Sequence, residues 1–93
     1  MILDVSLANT DLYAGLRIES LAGKATLLDA PAAAIARMAE NFSKMKIDPD
    51  EVVLTGSMAI WAYLAVFHFL HGRTRRIYYQ DGRGLRVLVA AHG

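Results

Sequence analysis

The chain of 93 residues contains no cysteine. This absence excludes a disulfide framework and any metal site built on thiolate ligands. The longest unbroken apolar run covers only ten residues, 58–67, whereas a membrane-spanning helix needs about 20. The first residues also lack the basic stretch of a signal peptide. We therefore expect a cytoplasmic protein that does not interact with membranes.

Several classes of catalytic motif are missing as well. The sequence has no serine–histidine–aspartate arrangement, no paired carboxylates and no carboxylate-rich site for two metal ions. It also has no internal repeat, no low-complexity segment and no linker. A chain of this length suits one folding unit, so we expect a single domain over residues 1–93.

Acidic residues are scarce in the second half of the chain. The net charge is −3 over residues 1–51 and +4 over residues 52–93, where the only acid is Asp81. All five bases of this half are arginine, whose planar fork binds phosphate well. The composition favours an anionic ligand for the C-terminal half, although a solvated basic face would have the same composition.

Hydrophobic residues, in contrast, are abundant and make up 55% of the chain. A domain this small buries only roughly 60–65% of the surface of its unfolded chain. The excess of apolar residues therefore indicates self-association, as a homodimer or a higher homo-oligomer.

Hydrophobic periodicity predicts the element order ββαβαββ. The predicted strands are residues 2–7, 12–19, 51–55, 75–80 and 85–91. The predicted helices are residues 31–45 and 58–71. The first two strands are expected to form a hairpin. The order predicts an α+β sandwich, with one mostly antiparallel sheet and two helices on one face.

Turn and capping residues place the ends of the helices. Asp29 and Pro31 mark the start of the first helix, while Ser57 and Gly72 cap the second. The second helix is apolar nearly all round, which indicates that it is covered on both sides. Its Tyr63 and Phe67, four residues apart, are expected to contact a second subunit.

The first candidate for chemistry is the strand–turn–helix segment that contains Gly56 and Ser57. A glycine at this position lets backbone N–H groups approach a phosphate, and the helix dipole favours the anion. Gly56 and Ser57 are therefore candidate ligand-binding residues. A tight structural turn is the alternative interpretation.

The second candidate is the pair His68 and His71, which share one helix face. Histidine is the side chain best suited to proton transfer near neutral pH. Two imidazoles alone make an incomplete metal site. The alternative is a packed His68 with a His71 that interacts with the helix dipole.

The third candidate is the hairpin that contains Asp81, Gly82, Arg83 and Gly84. A two-residue type I′ turn accounts for the Asp-Gly pair. It does not account for Arg83, which lies between two glycines that expose the backbone around a phosphate-binding side chain. His92, near the C-terminus, is expected to be an exposed tail residue.

About the last 40 residues resemble the CRISPR-associated ring nucleases of the Csx-three type. That family combines a hydrophobic strand ending in Ser/Thr-Gly, an Ile-Trp pair, a histidine-bearing helix and a Tyr-Asp-x-Arg hairpin. The matching residues here are Thr55, Gly56, Ile60, Trp61, His68, His71, Tyr79, Asp81, Arg83 and the closing strand to His92.

The resemblance implies a ferredoxin-like fold, a dimer and manganese-stimulated cleavage of cyclic tetra-adenylate, which switches off type III CRISPR antiviral signalling. By position, the catalytic residues would be His71, Asp81 and Arg83, with Gly56, Ser57, His68 and Arg83 binding the ligand. Asp81 would orient Arg83 or His71, or bind manganese. The family's Gly-Arg-Gly-Pro is replaced here by residues 56–59, and its paired helix-end histidines by His71 and Gly72.

Two other functions remain open. One is a non-catalytic module that binds the same cyclic oligoadenylate as a sensor or sponge. The other is an interaction domain whose apolar helix docks a partner protein. No DNA ligand is expected in either case.

Overall fold

The computed structural model describes residues 1–92, which contain six strands and two helices. The predicted α+β class, with two helices, is confirmed. The strands are β1 Ile2–Asp4, β2 Ile18–Leu21, β3 Lys24–Leu27, β4 Glu51–Thr55, β5 Arg76–Gln80 and β6 Arg86–Ala91. The helices are α1 Pro31–Ser43 and α2 Ile60–Leu70.

The chain divides into two compact units. Unit 1 consists of Met1–Ser6 and the described part of Lys46–Gly93, so it holds β1, β4, α2, β5 and β6. Unit 2 is Leu7–Met45 and holds β2, β3 and α1.

The sheet of unit 1 has the strand order β1-β4-β5-β6. β4 runs parallel to both β1 and β5, and only β5 and β6 are antiparallel. The prediction of a mostly antiparallel sheet is therefore wrong. The physical reason is the crossover through α2, which returns the chain to the starting edge of the sheet so that β5 runs parallel to β4.

The predicted hairpin between residues 2–7 and 12–19 is also wrong. The first strand ends at Asp4, and turns occupy most of the chain before β2. Asn9 stabilises these turns, because its side-chain oxygen accepts a hydrogen bond from Leu12 N and its carbonyl accepts one from Tyr13 N. Such local bonds offer the backbone an alternative to a strand ladder.

Unit 2 instead contains the hairpin of β2 and β3. Its two turn residues, Ala22 and Gly23, have positive φ angles of 53° and 77°. Positive φ at both central positions is typical of the type I′ turn that matches the twist of a hairpin.

The first helix begins at Pro31, as predicted, but Asp29 does not cap it. The Asp29 carboxylate accepts hydrogen bonds from the backbone N and the Nε of Arg17, at 2.7 and 3.3 Å. Ala34, Met38 and Phe42 form the buried face of α1.

The second helix begins two residues later than predicted, after Ala59, so Ser57 does not cap it. Gly72 follows the helix with φ +85°, which confirms it as the C′ glycine. Ala62, Ala65, Val66 and Leu70 are buried. Among residues 1–92, no helix combines the length and the apolar character that crossing a bilayer requires.

Candidate functional site

The carboxyl ends of β4 and β5 meet at one edge of the sheet because these strands are parallel. The Thr55 hydroxyl donates a hydrogen bond to the Gln80 carbonyl at 3.1 Å, which joins the two strand ends. Four of the candidate residues follow these two joined strand ends within three residues. We call this group the carboxyl edge: Gly56, Ser57, Asp81 and Arg83.

Packing within the chain explains why residue 56 is glycine. Its φ is +107°, and a Cβ atom there would collide with Asp4 Oδ1 and Ser6 N. The Gly56 carbonyl also accepts a hydrogen bond from the Tyr63 hydroxyl. These contacts support the structural-turn interpretation of Gly56, since an acidic side chain fills the space expected for a phosphate.

Asp81 organises the loop that joins β5 to β6. Its carboxylate accepts hydrogen bonds from Arg83 N at 2.9 Å and Leu85 N at 3.0 Å. The prediction of a two-residue type I′ turn is wrong, because residues 81–85 separate the strands and positive φ occurs at Gly84 alone among them. An aspartate that bonds the following backbone N–H groups stabilises a longer loop in this way.

The same carboxylate orients the arginine of the loop. Asp81 Oδ2 lies 3.3 Å from Arg83 Nε and 3.2 Å from Arg83 Nη2. Arg83 is otherwise 81% exposed, so its remaining N–H groups point to solvent. Of the roles open to Asp81, the geometry supports positioning of Arg83.

The hydrogen bond from the Leu85 backbone N–H, followed by those from Arg83, holds the pKa of Asp81 below its usual value. The stability that this carboxylate contributes is therefore present above the unfolded pKa, about 3.9, and is lost as the pH falls through the folded pKa. We expect an NMR titration of the Asp81 carboxyl carbon to give a lower midpoint in the folded protein than in urea. Equal midpoints would contradict the loop geometry.

The other end of β5 carries a second group of candidate residues, which we call the amino edge: His71, Arg75, Arg76 and His92. The rings of His71 and His92 are 4.7 Å apart and perpendicular. His92 N donates to the Arg75 carbonyl at 2.6 Å, which extends the pairing of β5 with β6. His92 is exposed, as predicted, but it is anchored rather than a loose tail residue.

A cleft of about 210 Å³ lies at the amino edge, lined by Arg75, Arg76, Ala91 and His92. Arg75 approaches Asp50 at 3.9 Å, with both side chains more than two-thirds exposed, so this ion pair is weak. The cleft thus combines two guanidinium groups with the imidazole of His92, whose ring contacts that of His71. This combination suits an anion that accepts or donates protons.

The structure does not bring all three predicted catalytic residues together. Asp81 follows the last residue of β5, whereas His71 lies before its first. A strand of five residues spans roughly 13 Å, at about 3.3 Å per residue. Within one chain, His71 and Arg83 are therefore at opposite edges of the sheet.

His68 is exposed on α2, one turn before His71. Its ring lies 6.4 Å from that of Phe69, whereas the ring partner of His71 is His92. The ring contact of His71 is thus with a residue at a strand end and not with the other helix histidine. Sequence spacing cannot reveal it, although the hairpin fold-back of β6 places His92 beside the residues that follow α2.

The residues present do not form a manganese site within one chain. Across residues 1–92, no three histidine, aspartate, glutamate or cysteine side chains cluster as a metal site would require. The Asp81 carboxylate is hydrogen-bonded to Arg83, and the pair His71 and His92 lies at the amino edge. We therefore derive no step through a metal ion.

Unit 1 also has an apolar groove of about 470 Å³ between α2 and the sheet. Its lining residues are Leu54, Met58, Ile60, Tyr63, Leu64, Phe67, Tyr79 and Val89. The rings of Tyr63 and Tyr79 meet edge to face, 5.5 Å apart. Ile60 and Leu64 are 78% and 65% exposed, so they present more unburied surface than the expected contact pair Tyr63 and Phe67.

Comparisons of the chain with family models, with curated proteins and with solved structures give no match.

Proposed function

We propose that this protein is a ring nuclease, which cleaves the phosphodiester bonds of cyclic tetra-adenylate to linear products and so switches off type III CRISPR signalling. The resemblance of the last 40 or so residues to that family suggests the substrate. The chemistry is suggested by the residues of the amino edge.

One observation carries the proposal: the edge-on contact of His71 with His92 beside the cleft of Arg75 and Arg76. A phosphodiester reaction needs a group that takes up a proton and a group that releases one. Imidazole does both near neutral pH. Arginine stabilises the negative charge that builds up on phosphorus-bound oxygens in the transition state.

In the proposed reaction a ribose 2′-oxygen attacks the adjacent phosphorus, and the bond from phosphorus to the 5′-oxygen breaks. The 2′-hydroxyl proton passes to one imidazole, and the leaving 5′-oxygen receives a proton from the other. The products are a 2′,3′-cyclic phosphate and a free 5′-hydroxyl, so that no water is consumed in this step. His71 is the acid or base, and His92 supplies the second proton-transfer group.

Arg83 completes the proposed site from a second copy of the chain. The active unit is thus a homodimer or a higher homo-oligomer, since His71 and Arg83 of one chain lie at opposite edges. A cyclic ligand with repeated phosphates fits a site that symmetry repeats. Manganese enters the proposal only as an ion to be added in the activity test.

The proposal is tested by incubating the protein with radiolabelled cyclic tri-, tetra- and hexa-adenylate, each with and without manganese. We expect the cyclic tetra-adenylate to be converted into linear products, separable by chromatography. The Lys24→Ala variant, which removes an exposed charge from the hairpin of unit 2, is the control and should match the wild type.

A binding module is the second candidate function. It is favoured by the separation of Arg83 from His71 in the single chain, which leaves each edge able to hold a phosphate without completing a catalytic site. Tight binding with an intact ring after long incubation would establish this function instead. Absence of binding to all three rings would exclude both candidates and leave an interaction domain.

A further inference from the structure

The last strand of the sheet, β6, has a neighbour on one side only. Its sequence is Arg-Val-Leu-Val-Ala-Ala, with one charge at its first residue. Val87, Leu88 and Val89 are 57%, 49% and 54% exposed. An exposed apolar edge strand is a template for pairing with another chain, because its outward N–H and C=O groups have no strand beside them.

We propose that β6 pairs antiparallel with β6 of a second copy, so that the two four-stranded sheets become one sheet of eight strands. This inference deepens the proposed function and rests on it for its catalytic consequence. The strand that pairs with β6 thus comes from another copy of the same chain rather than from a different protein.

Symmetry and charge favour a second copy. A two-fold axis through an antiparallel strand pair places one residue opposite its own equivalent. With Leu88 on the axis, each Arg86 lies beside the far end of the other β6 strand, and the two Arg86 side chains stay apart. The single charge of β6 therefore meets no like charge, and apolar residues meet apolar residues.

The exposed apolar area also suits such a contact. Seven large apolar side chains that are at least 39% exposed lie on α2, on β5, on β6 or directly before β6: Ile60, Leu64, Tyr79, Leu85, Val87, Leu88 and Val89. Covering them buries on the order of 700 Å² on each copy, close to the ~800 Å² that each partner contributes to a standard interface.

The pairing joins the two separated halves of the candidate site. Because the β6 strands run in opposite directions, the amino edge of the second copy lies beside the carboxyl edge of the first. With Leu88 on the axis, the end of β6 and His92 of the second copy lie beside the start of β6 in the first, close to the loop that holds Arg83. Opposed residues have Cα atoms about 5 Å apart, well within the reach of an arginine side chain.

The dimer therefore holds two equivalent composite sites. Each combines the Asp81–Arg83 tip of one copy with the His71–His92 pair of the other. The distance of roughly 13 Å along β5, which separates the two groups in one chain, no longer keeps them apart.

Cysteine cross-linking tests the pairing without any nucleotide. The chain has no cysteine, so a single introduced thiol reports on one position. A Leu88→Cys variant places its two thiols at the two-fold axis, where the Cα separation suits a disulfide. Its matched control is Ile2→Cys, because Ile2 is 61% exposed on β1, the opposite edge strand of the same sheet.

We expect oxidation to convert most Leu88→Cys protein into a covalent dimer on a non-reducing gel, while Ile2→Cys stays monomeric. A monomeric Leu88→Cys protein, or equal cross-linking of both variants, would overturn the proposal. Sedimentation of Val87→Lys should give a monomer with an unchanged circular-dichroism spectrum, whereas a persistent dimer would contradict the pairing. If that variant does not fold, the cross-linking result alone decides. Since these readouts need no substrate, the edge pairing and the nuclease activity can fail independently.

Discussion

Replacing His71 with alanine is expected to slow the cleavage of cyclic tetra-adenylate by about 10²–10⁴-fold, the usual contribution of a general acid or base. His71 meets the ring of His92 edge to face beside the arginine cleft, so the variant removes one of the two proposed proton-transfer groups. The arginines that we propose to hold the phosphate remain. Binding should therefore change little while kcat falls.

Single-turnover rates measure the loss in cleavage, and filter binding of labelled cyclic tetra-adenylate measures the affinity. The pH dependence gives a further check, because removing one imidazole should flatten one arm of a bell-shaped rate profile. Lys24→Ala, in unit 2, is again the control. A decrease of less than about threefold would remove His71 from the mechanism.

Features governed by neighbouring residues were predictable from the sequence. Pro31 begins α1, Gly72 follows α2 with positive φ, and residues 51–55 form a buried strand, as expected. Capping by Asp29 and Ser57 was wrong, because Asp29 has a distant partner in Arg17 and the chain after Gly56 turns before the helix starts. The local propensities of the residues predict neither the contact of Asp29 with Arg17 nor the turn after Gly56.

The pairing of strands was harder to predict because it is non-local. Leu3 pairs with Leu54, some 50 residues later, whereas alternation in residues 2–19 indicated a nearby hairpin. Recognising residues 51–80 as a strand–helix–strand crossover would have corrected the sheet. It would also have placed the end of α2, with His71, at the amino end of β5 and away from Asp81.

The resemblance placed His71, Asp81 and Arg83 in one site by their order in the chain, and order alone does not say which copy supplies each residue. The contact of His71 with His92 also depends on how far the last hairpin folds back. The sheet sets this contact: β6 returns antiparallel to β5, which brings residue 92 to the beginning of β5.

An equal mixture of the His71→Ala and Arg83→Ala proteins is expected to recover about a quarter of the wild-type cleavage rate per subunit, by the statistics of a two-fold dimer. Each variant alone should be nearly inactive, because every composite site of its homodimer lacks one group. In a mixed dimer, one site has Arg83 from the first variant and His71 from the second. Half of the dimers are mixed, and each of these has one complete site of two.

The two proteins are unfolded and refolded together so that their subunits exchange, and the rate is compared with the sum of the rates measured separately. The matched control is a mixture of His71→Ala with the double variant His71→Ala/Arg83→Ala, which contains no complete site in any combination. A mixture no faster than the sum would place the whole site within one chain. That result would contradict a site shared between copies, which the positions of His71 and Arg83 at opposite ends of β5 require.

Adding Val87→Lys to both variant proteins tests whether the recovered cleavage rate depends on pairing through β6. If the composite site forms through β6, a charge on that strand should abolish the recovery, because lysine at a sheet edge opposes strand pairing. The same charge introduced as Ile2→Lys, on the opposite edge strand β1, should leave the recovery intact. Recovery that survives Val87→Lys but not Ile2→Lys would assign the shared site to β1, and would leave the exposed valines of β6 without a catalytic role.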